Sequence, residues 1–142
     1  MTGGGWINSP EGAYAASPLL TGKANFGFVS KYRRNAAPGA PPEGETSFHF
    51  NSAGFRFDSD SYEWLVISGT KARYRGIGRV DGVAGYGFEL TAYDNSPDRF
   101  RIKIWLGNQG NVIYDNENSS PDGEATMPSS VLGGGSIVIH KK

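Results

Sequence analysis

Two acidic segments of the sequence carry the side chains that hard metal ions bind. Their oxygen-bearing residues are, in chain order, Asp94, Asn95, Asp98, Asp115 and Asn116. Residues 100 to 106 alternate apolar and polar types and precede a glycine-containing turn, so an antiparallel hairpin would bring Asp98 and Asp115 to the same end. Calcium takes roughly six to eight oxygen ligands from carboxylates, amides and carbonyls. The converging loops, 94 to 98 and 115 to 122, are therefore candidates for a calcium site.

Turn chemistry is the alternative explanation for these acidic segments. Asp and Asn are ordinary loop residues because their side chains hydrogen-bond the local backbone. Neither segment has the regular ligand spacing and central glycine of an EF-hand loop. The sequence leaves both interpretations open.

An aromatic and basic cluster around the run 100 to 106 offers a second kind of site. Trp105 has the parity opposite to Phe100, which places its indole on the polar face of the expected strand. An exposed indole beside polar groups can hold a sugar ring by stacking and hydrogen bonding. The candidate ligand-binding residues are Trp105, Tyr93, Tyr114, Arg101 and Lys103, with Trp6 extending the set. The alternative is that Trp105 packs against a neighbouring strand or a loop.

A basic ladder occupies one parity of the run 71 to 80. Its members are Lys71, Arg73, Arg75 and Arg79. Such a ladder could bind phosphates or anionic glycans. In the competing interpretation, its basic side chains form cross-strand ion pairs with carboxylates such as Glu63 and Glu89. Lys plus Arg and Asp plus Glu both total 14, so the net charge is zero. We therefore expect no nucleic-acid partner.

Catalytic groups are scarce in the sequence. Asp58 and Asp60 would need one pKa raised by burial to act as general acid and base, and their polar neighbours favour a turn instead. His49 and His140 are the two imidazoles, far apart in the chain, and cysteine is absent. We predict that the protein is not an enzyme and keep a small hydrolase as the remaining alternative.

The elements that must position these groups follow from a side-chain period of two. The runs 71 to 80 and 82 to 93 alternate apolar with polar residues, and Asp81 and Gly82 between them are a hairpin turn signal. The same pattern predicts hairpins around Ser52-Ala53-Gly54 and after Leu106. No stretch sustains the period of 3.6 that is typical of a helix.

Three further segments bear on how the sheet is built. Residues 64 to 68, WLVIS, are continuously apolar and predict a strand that is covered on both faces. Glycine triplets precede branched residues in the terminal segments 3 to 7 and 133 to 139, where they let two backbones approach closely. We expect these terminal strands to pair and thereby to close the sheet.

These patterns together predict an all-β fold, an antiparallel β-sandwich or flattened β-barrel of about nine to ten strands with little or no helix. The 142 residues suit a single β-domain over 1–142. No stretch approaches the roughly 18 apolar residues of a membrane span, so we expect no membrane insertion. The first residues show neither the basic nor the apolar part of a signal peptide.

Several strings of the sequence resemble one family of bacterial modules. They are TGGGWI, GKANFGFVSKYRR, the long run 48 to 94, DRFRIKIW and VIYDN. With these strings the chain resembles the post-COAP type module over nearly its whole length, from Thr2 to His140. The resemblance implies an all-β unit of large secreted or surface-attached bacterial proteins, often beside immunoglobulin-like repeats, and it implies no activity. The short loop after Tyr93 departs from the longer glycine-rich inserts expected in relatives.

The expected function is that of a non-catalytic extracellular β-module with a structural, adhesive or ligand-presenting role, located in a secreted or cell-surface protein. Calcium is its candidate cofactor. A carbohydrate-binding module that uses Trp105 and nearby tyrosines is the alternative. The expected partner is a glycan or another surface protein, and the sequence leaves the oligomeric state open.

Overall fold

A computed structural model describes residues 1–32, 40–94, 98–107, 111–116 and 131–139 of the chain. These residues form nine β-strands, one 3-10 turn at Asn51–Ala53, and no helix that is long and apolar enough to cross a membrane. The strands are β1 Thr2–Ser9, β2 Gly22–Lys31, β3 Glu43–Phe50, β4 Phe55–Ser68, β5 Lys71–Val80, β6 Val83–Tyr93, β7 Arg99–Leu106, β8 Val112–Asp115 and β9 Gly134–Val138. The predicted all-β class is confirmed.

All nine strands belong to one antiparallel sheet with the order β8-β7-β6-β5-β4-β3-β2-β1-β9. The chain therefore runs as a meander from β1 to β8, and β9 returns to the free side of β1. The terminal strands pair as expected, with Gly5 opposite Gly135 and Trp6 opposite Gly134. The expectation that this pairing closes the sheet is wrong, because β9 becomes one edge while β8 remains the other.

The alternation of side chains determines which residues enter the core. Phe26 on β2 and Phe48 on β3 point to the same face of the sheet and are buried. Across the core, the Phe26 ring lies 4.1 Å from that of Phe100 on β7, and the Phe48 ring lies 4.7 Å from that of Tyr114 on β8. The two halves of the curved sheet thus face each other across a layer of aromatic rings, as in a sandwich.

The hairpin between β5 and β6 has the predicted turn. Asp81 has a φ of 50° and Gly82 a φ of 85°. Both values lie in the left-handed region that a two-residue type I′ turn needs, and Asp-Gly is a favoured sequence for it. The other two predicted hairpins, β3 with β4 and β7 with β8, also form.

Residues outside the strands contact the two edge strands of the sheet, β8 and β9. The backbone of Asp115 on β8 donates to the carbonyl of Ala13 at 3.0 Å, and Ala15 donates to Ile113 at 3.0 Å. On β9, the amide of Ile137 donates to the Asp98 carboxylate at 2.9 Å. Because an open strand edge presents unpaired amides and carbonyls, these contacts satisfy groups that the sheet itself leaves without partners.

The prediction that residues 64 to 68 are covered on both faces is wrong. Leu65 is buried, but the side chains of Val66 and Ile67 are 43% and 40% exposed. Val66 lies opposite the outward Arg73 and Ile67 opposite the buried Ala72, so the two side chains point to opposite faces. The last residues of β4 are therefore exposed on both faces.

Candidate functional site

The outer face of the sheet carries three neighbouring rows of side chains that run across the strands. The strand register defines their members. The first row is Gly27, Ser47, Asp58 and Arg79; the second is Ser61, Ile77, Gly87 and Trp105; the third is Trp64, Arg75, Glu89 and Lys103. Arg79, Ile77 and Arg75 are successive outward positions on β5, so the three rows lie side by side.

A groove of about 460 Å³ crosses the second row from β4 to β7. We call it the β4–β7 groove. The side chains that matter for its chemistry are Asp60, Glu63, Arg75, Ile77 and Trp105. Glycine backbone contributes much of the remaining lining, including Gly85 and Gly87. The groove therefore combines apolar surface from Ile77, charged groups and accessible peptide groups in one open depression.

Trp105 lines this groove without being a flat exposed indole. Its exposed fraction is 6%, which corrects the expectation that the whole ring face is accessible. The indole packs on the neighbouring strand, where a Cβ placed on Gly87 would lie 2.2 Å from its Nε1. The structure therefore agrees with the alternative interpretation, in which Trp105 packs against a neighbouring strand.

Arg75 lies between two indoles on the third row. Its guanidinium carbon is 5.4 Å from the ring centroid of Trp64 and 5.6 Å from that of Trp105. Its Nη2 also donates to Glu89 Oε1 at 2.8 Å. Cation–π contacts with two indoles and an ion pair with Glu89 restrict the orientation of this side chain.

The basic ladder is largely ion-paired, as the competing interpretation proposed. Arg73 and Arg75 both bind the Glu89 carboxylate, at 2.9 and 2.8 Å. Arg79 binds Asp60 at 2.9 Å. An anionic ligand would therefore have to compete with carboxylates that already occupy these three arginines.

Glu63 is the carboxylate of the groove with no assigned partner. It is exposed at the rim of the β4–β7 groove. Within the described residues it makes no hydrogen bond or ion pair, whereas Asp60 is held by Arg79. Its oxygens are available to accept hydrogen bonds from the hydroxyl groups of a ligand.

Two of the predicted aromatic ligand-binding residues lie outside the groove. Tyr114 is fully buried and its hydroxyl lies 2.8 Å from Ser9 Oγ, so it is a core residue and does not extend a binding surface. Tyr93 is partly buried at the end of β6, opposite Lys71 and Arg99. Tyr114 belongs to the core because its side chain points to the inner face of β8.

Arg101 and Asp115, predicted respectively as ligand and metal residues, bind each other. Arg101 Nε and Nη2 donate to the two carboxylate oxygens of Asp115 at 3.0 and 2.7 Å. Both side chains are buried. Lys103, the other predicted basic ligand residue, is partly buried and lies opposite Asp115 in the register of β7 and β8.

The remaining acidic-loop residues form hydrogen bonds with the backbone of neighbouring strands. Asn116 accepts from the amide of Ile102 at 2.8 Å and donates to the carbonyl of Phe100 at 2.9 Å, which continues the pairing of β8 with β7. Asp98 accepts from Ile137, as described above, and Asp94 accepts from Ile139 at 2.9 Å.

The structure does not assemble these acidic residues into one cluster. Asn95 lies outside the described residues, as does the loop 117–130. Among the residues described, no group of three or more His, Asp or Glu side chains is placed to hold a metal ion. Calcium binding stays a prediction, and strand-edge hydrogen bonding accounts for Asp94 and Asp98.

The candidate catalytic pair consists of two carboxylates that each bind an arginine. Asp58 lies 3.0 Å from Arg56, and Asp60 lies 2.9 Å from Arg79. His49 is on β3, opposite Arg56, and His140 lies outside the described residues. The hydrolase alternative stays a hypothesis with no further contact to support it.

Sequence reasoning missed the role of Gly87 beneath Trp105, and it considered Glu89 as a partner of the basic ladder without identifying its contact with Arg75. The alternation of residues showed that these side chains point outward. The placement of Gly87 beneath Trp105 and of Glu89 beside Arg75 depends on the register between strands. No family model, curated protein or solved structure matches the chain. The resemblance to the post-COAP type module therefore stays a prediction.

Proposed function

We propose that the protein is a non-catalytic β-module that binds a carbohydrate in the β4–β7 groove, as part of a secreted or surface-attached bacterial protein. The observation that carries this proposal is the composition of the groove. Apolar surface, mainly from Ile77, lies beside the carboxylate of Glu63 and the guanidinium of Arg75. Sugars present the matching combination of apolar C–H faces and hydroxyl groups.

The apolar part of the groove suits a sugar ring. Ile77 is 51% exposed in the second row. An exposed branched side chain of this size in the middle of a sheet gains by covering its surface with a ligand. Trp105 contributes little surface of its own, because it is only 6% exposed, but its indole lies at the groove where a bound ligand would change its environment.

The polar part of the groove is rigid, which lowers the entropic cost of binding. Arg75 is held by Trp64, Trp105 and Glu89, and Asp60 is held by Arg79. A side chain that is already ordered loses little rotamer freedom when a ligand arrives. These groups are therefore suited to fix the orientation of ligand hydroxyls, with Glu63 as the free acceptor.

The test is a titration of the protein with a panel of soluble neutral, acidic and amino oligosaccharides, followed by calorimetry and tryptophan fluorescence. We expect at least one neutral glycan to bind and to change the emission, since Trp105 lines the groove. Glu63→Gln should weaken that binding at least tenfold, because a hydrogen bond to a charged group is worth about 1.5–3 kcal/mol. Ile77→Ala should weaken it as well, because it removes exposed apolar surface that the ligand would cover.

The matched control is Glu11→Gln, which removes an exposed carboxylate in the turn after β1, away from the groove. It should leave the affinity unchanged. A panel in which no glycan binds would refute the proposed function. Equal affinities for wild type, Glu63→Gln and Ile77→Ala would show that the glycan binds elsewhere on the protein.

A further inference from the structure

We propose that Glu63 makes the β4–β7 groove selective for an amino sugar, whose protonated amino group binds the Glu63 carboxylate. This inference rests on the proposed function and names the ligand class of the same site. It is carried by the way in which β4 places two carboxylates at the groove, and by the charge that remains uncompensated there.

Both carboxylates of the groove belong to β-bulges of β4. The pairing of β4 with β5 skips one residue at two places, and the residues skipped are Asp60 and Glu63. A bulge inserts an extra residue into one strand and changes the direction in which its side chain points. Asp60 and Glu63 both line the β4–β7 groove. The two irregularities of β4 therefore bring two acidic side chains to one depression.

Two glycines of β5 make room for the backbone of β4 at these bulges. A Cβ at Gly76 would clash with the carbonyl oxygen of Ser61, and a Cβ at Gly78 would lie 2.5 Å from that of Asp58. Glycine is unfavourable inside a strand, and the close approach of β4 explains it at these two positions. The bulges that carry the carboxylates are therefore built into the sequences of both strands.

The two bulge carboxylates differ in what already binds them. Asp60 lies 2.9 Å from Arg79. Arg75, whose guanidinium lines the groove, binds Glu89 at 2.8 Å. Glu63 is exposed, and in the described part of the chain it has neither a hydrogen bond nor an ion pair. The groove therefore contains one carboxylate whose charge no described residue compensates.

The uncompensated charge favours an ammonium group of the ligand over a hydroxyl group. A ligand that covers the groove removes water from Glu63, and removing water from an unpaired charge is costly. A hydroxyl group offers the carboxylate one hydrogen bond, whereas an ammonium group offers charge-assisted hydrogen bonds and the opposite charge. An acidic sugar would place a second negative charge beside Glu63. An amino sugar therefore matches both the free carboxylate and the apolar surface of Ile77.

The experiment compares oligosaccharides of equal length that differ in charge. The probes are β-1,4-linked oligomers of glucosamine, N-acetylglucosamine and glucose, with oligogalacturonates as the acidic counterpart. Calorimetry is carried out in mildly acidic buffer, in which the amino groups of glucosamine are protonated. We expect the glucosamine oligomer to bind at least about tenfold more tightly than either neutral oligomer, and oligogalacturonates to bind most weakly. Added salt should reduce the advantage of glucosamine, because salt screens charges near the surface.

Two variants of Glu63 test whether this carboxylate selects the ligand. Glu63→Gln keeps the shape of the side chain and removes its charge, so it should remove the advantage of the glucosamine oligomer over the neutral ones. Glu63→Lys should reverse the order and favour oligogalacturonates over glucosamine. Glu45→Gln is the matched control, because it removes an exposed carboxylate of β3 that does not line the β4–β7 groove. It should leave the advantage of glucosamine unchanged.

The outcomes distinguish this inference from the proposed function. If no oligosaccharide binds, the proposed function fails and the inference fails with it. If the neutral oligomers bind as tightly as the glucosamine oligomer, the β4–β7 groove remains a sugar site and the selection for an amino group is refuted. An advantage of glucosamine that persists in Glu63→Gln would show that another group binds the ammonium, and would refute the role of Glu63.

Discussion

Two tryptophans on the outer face each lie on a glycine of the neighbouring strand. Trp105 covers Gly87, and Trp6 covers Gly134, directly opposite it in the register. A Cβ at these glycines would lie 2.2 and 2.6 Å from the respective indole Nε1 atoms. Glycine is unfavourable within a strand, and aromatic coverage compensates for it. The glycines are therefore explained by the rings above them.

The first prediction at this scale concerns Gly87→Ala. The added methyl group must displace Trp105, which packs tightly on this position. We expect unfolding free energy to fall by about 1–3 kcal/mol, which is typical of overpacking, measured by chemical denaturation. Glycan affinity should fall as well, because Trp105 lines the β4–β7 groove.

Gly4→Ala is the matched control for this substitution. A Cβ at Gly4 would lie 3.8 Å from the nearest atom outside its chain neighbours, the carbonyl oxygen of Phe26, which is an ordinary contact. The free energy of unfolding of the Gly4→Ala variant should stay within about 0.5 kcal/mol of the wild-type value. Equal destabilisation by the two substitutions would show that the Trp105 packing is not what makes Gly87 sensitive.

Among the elements, β9 depends most clearly on side chains from elsewhere. It has five residues and pairs with β1 alone. Beyond that pairing, Asp98 accepts from the amide of Ile137 and Asp94 accepts from that of Ile139. A buried donor left without an acceptor costs about 1–3 kcal/mol. The two carboxylates therefore contribute substantially to holding the strand in place.

We predict that the double variant Asp94→Ala, Asp98→Ala loosens β9 while the hairpin of β5 and β6 stays closed. Hydrogen–deuterium exchange followed by mass spectrometry should detect faster exchange in peptides that contain residues 134–139, because local opening becomes less costly. Asp60→Ala, which removes an exposed ion pair, should leave that exchange unchanged. Unaltered exchange in the double variant would assign the stability of β9 to β1 and its glycines alone.

At the scale of the whole molecule, the core contains buried phenol groups as well as hydrocarbon. Thr46 Oγ1 lies 2.6 Å from the Tyr62 hydroxyl and 2.5 Å from that of Tyr74. Burial raises the pKa of Tyr62 above its usual value of 10.0, and it raises the pKa of Tyr74 well above that value. Burial likewise raises the pKa of Tyr114. In the folded state these phenols resist losing their protons.

The raised pKa values predict that the fold is destabilised at alkaline pH. Above the usual value of 10.0, tyrosines of the unfolded chain lose protons that the folded state retains, so unfolding becomes more favourable as pH rises. The free energy of unfolding should fall by up to about 1.4 kcal/mol per pH unit for each buried tyrosine. These groups contribute their full stabilisation below that pH.

Denaturant titrations at a series of pH values from neutral to strongly alkaline check this prediction. Tyr74→Phe should reduce the alkaline slope, whereas Tyr32→Phe, at a half-exposed tyrosine, should leave it unchanged. Identical slopes in the two variants would mean that the buried phenols do not control the alkaline transition.

Much of the fold could be predicted from local patterns. Alternation assigned inward residues such as Tyr74 and Phe88 to the core and outward residues such as Arg73 and Arg75 to the surface, and Asp81 with Gly82 predicted the central hairpin. These properties depend on adjacent residues, because successive side chains of a strand point to opposite faces. The sequence by itself therefore determined the all-β class and the face on which the candidate site lies.

Only the tertiary structure decided which residues meet across strands and at the sheet edges. Arg101 and Asp115 are remote in sequence and became a buried ion pair, and Asp94 and Asp98 became acceptors for the amides near β9. Such partners depend on register and on which strand edge lacks a neighbour. Both are set by long-range pairing, and the local alternation of side chains contains no information about either.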